Sequence, residues 1–297
     1  MGTPEFAARV LESVIDNVVL VVTQPDKING RNNKTDFSPV KKLAQENNLP
    51  LFQSSNIKLD YQKVIDANPD LILTCAYGQI IPEVLLKFPK FKCVNVHASL
   101  LPALRGGAPI HKAIIYGHKE TGITLMHMAK KMDAGDILWQ EAIPIDFTDT
   151  ALTLHDKLIE VAIRMLKTHL PKIFTGKAIP KPQEHLKATY AFNISREEEL
   201  IDWHQDALTV YNQIRGLYSW PLAYTRLEDK VLKIHSAEIV ESNVSVKPGV
   251  ILCPKQLIVK TKDKAIRILT LQPAGKKVMS AKDFINGNKI EANSILM

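Results

Sequence analysis

Short apolar runs alternate with helix-like patterns along the first half of the chain. The runs at 18–23, 70–75 and 93–97 are rich in aliphatic or β-branched residues, as in strands buried on both faces of a parallel sheet. Apolar residues recur at helical spacing between them, which predicts helices at 4–15, 39–47, 61–67 and 82–86 and one that begins near Ala108. This alternation predicts a doubly wound α/β domain with a mostly parallel sheet.

The second half has a different pattern. Two further strands are predicted at 122–128 and 136–145, a long amphipathic helix at 151–174, and a linker where Gly, Pro and Lys follow without periodicity. A helix at 207–214 then precedes short strands, which are predicted at 222–227, 231–239, 249–253, 257–261 and 265–271. Five short strands separated by turns predict a small β-barrel of the oligonucleotide-binding (OB) type. The predicted domains are therefore a catalytic domain at 1–175, a linker at 176–195 and a barrel at 196–297.

Composition narrows the class of protein. The chain of 297 residues is 45% hydrophobic and 23% charged, which is typical of a globular protein. No apolar run approaches the roughly 20 residues that span a bilayer, and no signal-peptide pattern is present. The three cysteines form no metal or disulfide pattern. We therefore expect a cytoplasmic protein without a membrane segment.

Positive charge is concentrated near the C-terminus. The net charge is +7, and residues 230–289 carry 12 basic and 4 acidic side chains, whereas residues 1–229 carry 26 of each. A basic barrel is typical of a protein with a polyanionic partner, such as a nucleic acid. A lysine-rich solvated surface is the other interpretation, and charge alone favours neither.

Candidate catalytic side chains follow the strand at 93–97. Asn95 and His97 are two residues apart, so they point to the same side of that strand. An amide, an imidazole and a tight backbone turn could hold an oxyanion and transfer a proton. Asp133, in an Asp-Ala-Gly-Asp turn beside the ends of parallel strands, could approach and orient the imidazole. Each of the three residue types is also common in ordinary turns.

Several longer motifs accompany these residues. They are NVHASLLP at 95–102, RGGAP at 105–109, DAGD at 133–136, GTPEFA at 2–7, TQPD at 23–26, SPVK at 38–41, AYGQIIP at 76–82, WP at 220–221 and LQPAGKK at 271–277. In type and order they resemble the folate-dependent formyltransferases, and among these the enzymes that act on methionyl-tRNA. The resemblance extends from Gly2 to about Phe284, so it covers both predicted domains.

The resemblance implies transfer of a formyl group from 10-formyltetrahydrofolate to the α-amine of methionine on initiator tRNA. Asn95, His97 and Asp133 match the catalytic triad of the family. The tetrahydrofolate-binding segment is matched by Ser99, Leu100, Leu101 and Pro102. The resemblance implies no metal ion and a monomeric protein.

Two further regions match parts of the family that serve tRNA. The segment 27–37 matches an inserted loop that contacts the acceptor stem, and Arg31 stands at the position of its functional arginine. A guanidinium group could bind phosphate or stack on a base. In the barrel, Lys276 and Lys277 are the candidate phosphate contacts.

Other functions remain open at this point. The same triad could serve a formyltransferase that acts on a nucleotide sugar or another small amine, or a folate hydrolase. The family also has an apolar strand before the Gly-Thr-Pro turn, whereas this chain starts at Met1. We therefore expect a truncated start assignment. A tRNA-binding homologue with impaired catalysis is the alternative.

Overall fold

The computed structural model describes residues 1–29, 34–288, 290–291 and 293–297. These residues form two compact units. The first contains Met1–Pro109, Thr121–Ile143 and His155–Ala191, and the second contains Ile110–Glu120, Pro144–Leu154 and Phe192–Met297. Among the helices described below, none is long and apolar enough to cross a bilayer.

Ten α-helices are described. They are α1 (Glu5–Glu12), α2 (Pro39–Glu46), α3 (Ile57–Asp60), α4 (Gln62–Asp66), α5 (Glu83–Lys87), α6 (Pro109–Ile115), α7 (Ala151–Phe174), α8 (Arg196–Glu199), α9 (Ala207–Gly216) and α10 (Ala281–Gly287). The starts of α2 and α9 follow from their caps, because Ser38 and Asp206 accept hydrogen bonds from backbone N–H groups three residues on. Helix α7 has the bounds that its amphipathic pattern predicts.

The described residues contain fourteen strands. They are β1 (Val21–Thr23), β2 (Lys27–Asn29), β3 (Lys34–Asp36), β4 (Leu51–Gln53), β5 (Ile72–Thr74), β6 (Cys93–His97), β7 (Glu120–His127), β8 (Ile137–Pro144), β9 (Ala223–Leu227), β10 (Lys230–Val240), β11 (Ile251–Cys253), β12 (Ile258–Lys260), β13 (Ala265–Pro273) and β14 (Met279–Ser280). Strands β2, β3, β4 and β14, which have two or three residues each, were not predicted.

The sheet of the first unit has two parts. Strands β1 and β4 pair in parallel, and β5 and β6 pair in parallel within a second part ordered β5-β6-β7-β8. The expected Rossmann-like parallel α/β arrangement is thus confirmed. Strand β7 is different, because it runs antiparallel to β6.

Residues of both parts line a cavity of about 290 Å³, among them Val22 on β1 and Leu73 on β5. Gly2 connects the two parts, since its N–H donates to the Val22 carbonyl at 3.0 Å and it forms a parallel bridge with Cys75. A Cβ at Gly2 would lie 2.7 Å from the Cys75 carbonyl oxygen. Only glycine fits this connection without displacement of the backbone.

A buried apolar cluster fixes the position of β6. Its members come from β1, β5 and β6 and from the helices and the loop between them, and they are Val22, Ile57, Val64, Ile72, Tyr77, Ile81, Leu85 and Cys93. Removal of these side chains from water stabilises the layer that carries β6. The strand that carries Asn95 and His97 is therefore held in place by a packed apolar layer.

The second unit is built on an antiparallel sheet. Its order is β11-β12-β13-β10-β9, with β14 on β13, and all five predicted strands are present. Its two edges meet neighbouring C-terminal residues, because Leu296 bridges to Leu227 on β9 and Ile295 bridges to Val250 next to β11. The sheet packs on the buried face of α9, which includes Val210 and Ile214.

Candidate active site

Strand β6 brings Asn95 and His97 to one face of the sheet. Asn95 stands opposite Thr74 on β5, and His97 stands opposite Thr124 on β7. The Thr74 hydroxyl donates to Asn95 Oδ1 at 2.8 Å. With its oxygen engaged in this way, the Asn95 side chain has its NH2 group to offer as a donor.

His97 is buried, and its two ring nitrogens face different partners. Nε2 lies 3.1 Å from the Leu104 carbonyl oxygen, to which it can only donate. Nδ1 lies 3.7 Å from Asp133 Oδ2. This separation is longer than a hydrogen bond, so the carboxylate acts on the imidazole through its charge.

Asp133 reaches this position from a loop. Strand β7 is antiparallel to β6, so the expected placement beside parallel strand ends is wrong. The loop between β7 and β8 instead carries Asp133 to His97, with Asp133 in the left-handed region at φ 48°. The Gly106 N–H donates to Asp133 Oδ2 at 2.8 Å and so orients the carboxylate.

The segment Ser99 to Pro102 is held by its neighbours. The Ser99 hydroxyl donates to the Ala103 carbonyl at 2.7 Å. Buried Thr124 donates to the Ser99 carbonyl at 2.6 Å and accepts from the Leu101 N–H at 3.1 Å. Gln140 Nε2 donates to the Leu101 carbonyl at 2.8 Å. This turn therefore has a defined shape next to His97.

Sequence reasoning missed the supporting polar residues Thr74, Thr124 and Gln140. Thr74 and Thr124 are nearly inaccessible, at 2% and 0% exposure. The available signal was a polar residue within an otherwise apolar strand, since a buried hydroxyl needs a partner. Thr124 in particular interrupts the apolar residues of β7.

The candidate tRNA contacts are placed differently. Lys276 and Lys277 lie in the turn between β13 and β14 of the second unit, and both are exposed. Neither forms an ion pair with a carboxylate of the described residues. Arg31 lies outside the described residues. The structure thus brings together the triad and Ser99 to Pro102 within the first unit.

His127 lies at the end of β7, where the loop that carries Asp133 begins. Burial, followed by the charge of Lys92, holds the pKa of His127 below its usual range. The ring is therefore neutral near pH 7. It stands at the end of β7 opposite Val94, where it serves packing.

Two family models match the chain. A formyl transferase model matches residues 2–170, and a model of the formyl transferase C-terminal domain matches residues 193–289. The chain belongs to the formyl transferase family. Since both models match in order, the resemblance inferred from the motifs is confirmed.

Individual members of this family are close relatives. The chain is 47% identical to a methionyl-tRNA formyltransferase of Geobacillus sp. (strain WCH70) over 97% of this chain and 93% of the relative. It is 45% identical to the methionyl-tRNA formyltransferase of Bacillus subtilis (strain 168) over 100% of this chain and 96% of the relative.

Solved structures share the fold at lower identity. An N-formyltransferase from Helicobacter canadensis has a TM-score of 0.68 at 18% identity and covers 90% of this chain and 97% of its own. A methionyl-tRNA formyltransferase from Clostridium thermocellum has a TM-score of 0.52 at 24% identity, with 76% and 94% covered. At these identities the likeness concerns the fold alone.

Proposed function

We propose that the chain transfers the formyl group of 10-formyltetrahydrofolate to the α-amino group of methionyl initiator tRNA, for translation initiation. The observation that carries this proposal is the convergence of Asn95, His97 and Asp133 in a chain 45% identical, over its full length, to a methionyl-tRNA formyltransferase. The folate co-substrate supplies an activated formyl carbon. Structural neighbours solved with tetrahydrofolic acid or folinic acid support a folate donor.

The residues of the site can perform the proposed steps. The Asn95 NH2 group would donate to the formyl oxygen, where negative charge develops as the amine attacks, and the charge of protonated His97 would stabilise that oxygen. Asp133 would stabilise the charged imidazole and assist transfer of the amine's proton to N10 of the folate, whose bond to the formyl carbon breaks as the tetrahedral intermediate collapses. Ser99, Leu100, Leu101 and Pro102 would form the wall that receives the folate. These steps require no metal ion.

The proposed tRNA contacts are Arg31 and the turn of Lys276 and Lys277. Two exposed cations without carboxylate partners among the described residues are suited to phosphate. We propose that the antiparallel sheet is of the OB type, which is supported by the C-terminal residues that bridge both of its edges. A charged tRNA as substrate implies a cytoplasmic location, and we expect the enzyme to act as a monomer.

The experiment is a formylation assay with charged methionyl-tRNA and 10-formyltetrahydrofolate, run on wild type and on His97→Ala. Loss of one oxyanion donor lowers kcat by about 10²- to 10³-fold, so we expect a loss of at least that size. Affinity for tRNA should stay within about threefold, because His97 contacts the reacting group and no phosphate. His204→Ala is the matched control, since His204 is an exposed histidine whose ring lies 3.3 Å from the Asp202 carboxylate.

Each alternative predicts a different result. A formyltransferase for sugars or small amines would formylate such an amine and leave methionyl-tRNA unchanged. A catalytically impaired homologue would bind methionyl-tRNA without formylating it. Loss of tRNA affinity in proportion to turnover in His97→Ala would contradict the separation of roles between the two units.

A further inference from the structure

Gln183 connects the predicted linker to the loop that carries Asp133. The residue is buried at 6% exposure. Its Nε2 donates to the backbone carbonyl of Asp133 at 2.9 Å and to that of Gly135 at 2.7 Å. One amide group therefore holds two carbonyls of the same loop.

The other end of the same side chain meets Arg105. Gln183 Oε1 accepts from Arg105 Nε at 3.2 Å and from Nη2 at 2.5 Å. The Arg105 guanidinium is completely buried, and its Nη2 also lies 3.0 Å from His185 Nδ1. The next residue, Gly106, donates to the Asp133 carboxylate. Gln183 thus connects the backbone of Asp133 with the segment that orients its side chain.

Backbone pairing keeps this glutamine in place. Lys181 and Ile137 exchange two backbone hydrogen bonds of 2.8 Å each. Further along, the Arg105 N–H donates to the Thr189 carbonyl at 2.9 Å, and the Ala191 N–H donates to the Arg105 carbonyl at 2.7 Å. The segment 181–191 is therefore attached at one end to the start of β8, directly after the Asp133 loop, and at the other to the Arg105 turn.

We infer that Gln183 is a positioning residue, which acts through Asp133 by holding the carboxylate beside His97. No atom of Gln183 needs to touch a substrate for this role. The inference adds a positioning residue to the proposed function, and its test by kcat rests on that function. It also assigns a task to a segment that the sequence pattern describes only as a linker.

The test variant is Gln183→Glu, which retains a partner for Arg105 and removes the donor to the two loop carbonyls. We expect kcat to fall about 10- to 100-fold while KM for both substrates changes less than about threefold, as for an interaction used in the transition state. Exchange of the Gly106 amide proton should become faster, because its acceptor is Asp133 Oδ2.

Two comparisons separate positioning from a general structural role. Measured on single turnovers in an Asp133→Ala background, Gln183→Glu should have almost no further effect, since residues that act as one unit are not additive. Gln213→Glu is the matched control, because Gln213 also donates to two backbone carbonyls, those of Glu198 and Leu200. That variant should keep the kcat of wild type.

An unchanged kcat in Gln183→Glu, or an equal loss with and without the Asp133 carboxylate, would overturn the inference. A rise in KM at constant kcat would do the same. If wild type formylates no amine, the proposed function fails, and the Gly106 exchange rate still decides whether Gln183 positions Asp133. Unchanged exchange in a folded Gln183→Glu protein would then refute the positioning role.

Discussion

Two regions of the molecule hold functional polar residues in different environments. The first, called the corner, is formed by Asn95, His97 and Asp133, and the second is the turn that carries Lys276 and Lys277. At the corner His97 is buried and the other polar groups are partly buried, and each of these is oriented by a neighbour, as Asn95 is by Thr74 and Asp133 by Gly106. In the turn the two lysine side chains are exposed and contact no carboxylate of the described residues. The first region depends on geometry, whereas the second depends on charge.

This difference determines how substitutions should act. A buried network loses its function when one member moves by an ångström, and the effects of its members are not additive. Exposed cations act through a screened field, so their effects on tRNA binding should add and should weaken with salt. Three experiments test this comparison, from the largest expected effect to the smallest.

The largest effect is expected for Gly135→Ala, which changes the loop of Asp133 and leaves the triad intact. A Cβ at this position would lie 1.9 Å from the His127 carbonyl oxygen, so the loop must move away from β7. Displacement of the carboxylate by about 1 Å would lower kcat about 100-fold. The measurement is kcat for methionyl-tRNA at saturating folate.

Gly287→Ala is the matched control for this substitution. A Cβ at Gly287 meets no atom within 4 Å, and the residue ends helix α10. Alanine there should leave kcat unchanged and should stabilise the protein by about 0.5–1 kcal/mol at most. Equal losses of activity in the two variants would show that the corner has no special dependence on geometry.

The sequence predicts the corner better than it predicts its support. Strand β6 was predicted with the observed bounds, Cys93–His97, because this short apolar run ends where Asn95 and His97 appear two residues apart. The hydrogen bond of Gln183 to the Asp133 loop spans 50 residues. A contact between residues so far apart in the sequence cannot be predicted from the pattern of neighbouring residues. The reversed direction of β7 was also missed, because alternation shows that a segment is a strand and says nothing of its partner's direction.

In the second unit, too, the strands could be predicted from the sequence and the long-range contacts could not. The five predicted strands are all present, since each is a short run rich in apolar residues between turn residues. The bridges of Leu296 to Leu227 and of Ile295 to Val250 depend on contacts over long sequence separations, and no sequence pattern indicated them. The domain boundaries at 176 and 195, the triad and the tRNA contacts stay predictions.

The double variant Lys276→Glu and Lys277→Glu should have an intermediate effect. If each lysine neutralises one phosphate, affinity for tRNA should fall about tenfold near 0.1 M salt, and the slope of log K against log salt should decrease by about two. Turnover at saturating tRNA should remain that of wild type. Binding isotherms at several salt concentrations provide the measurement.

A second double variant controls for total charge. Lys262→Glu with Lys264→Glu changes the net charge of the same unit equally, and Lys264 is paired with Glu241 in the structure. A smaller effect on tRNA affinity than in the turn variant would support local contact by Lys276 and Lys277. Equal effects would mean that the net charge of the unit attracts tRNA and that the turn has no special role.

The smallest effect is expected at the base of the β2–β3 hairpin, which is neither corner nor turn. Asp26 Oδ2 lies 2.5 Å from Lys41 Nζ, and Gln53 Nε2 donates to Asp26 Oδ1 at 2.9 Å. The hydrogen bond from Lys41, and then that from Gln53, lower the pKa of Asp26 below its usual value of 3.8. A carboxylate with a lowered folded-state pKa stabilises the fold above its unfolded pKa and loses this effect as the pH falls through the folded pKa.

The coupling between Asp26 and Lys41 should therefore depend on pH. A double-mutant cycle with Asp26→Asn and Lys41→Met isolates the pair from changes in packing. Its coupling free energy, from urea unfolding, should be stabilising at pH 7 and should decrease as the pH falls below about 4. A coupling that is the same at pH 7 and at pH 3 would contradict an ionic pair.

The response of this coupling to salt relates the hairpin base to the two regions, because Lys41 is buried while Asp26 is partly exposed. A coupling that persists in 0.5 M salt would show that the pair behaves like the buried network of the corner. A coupling that salt removes would show that it behaves like the exposed cations of the turn.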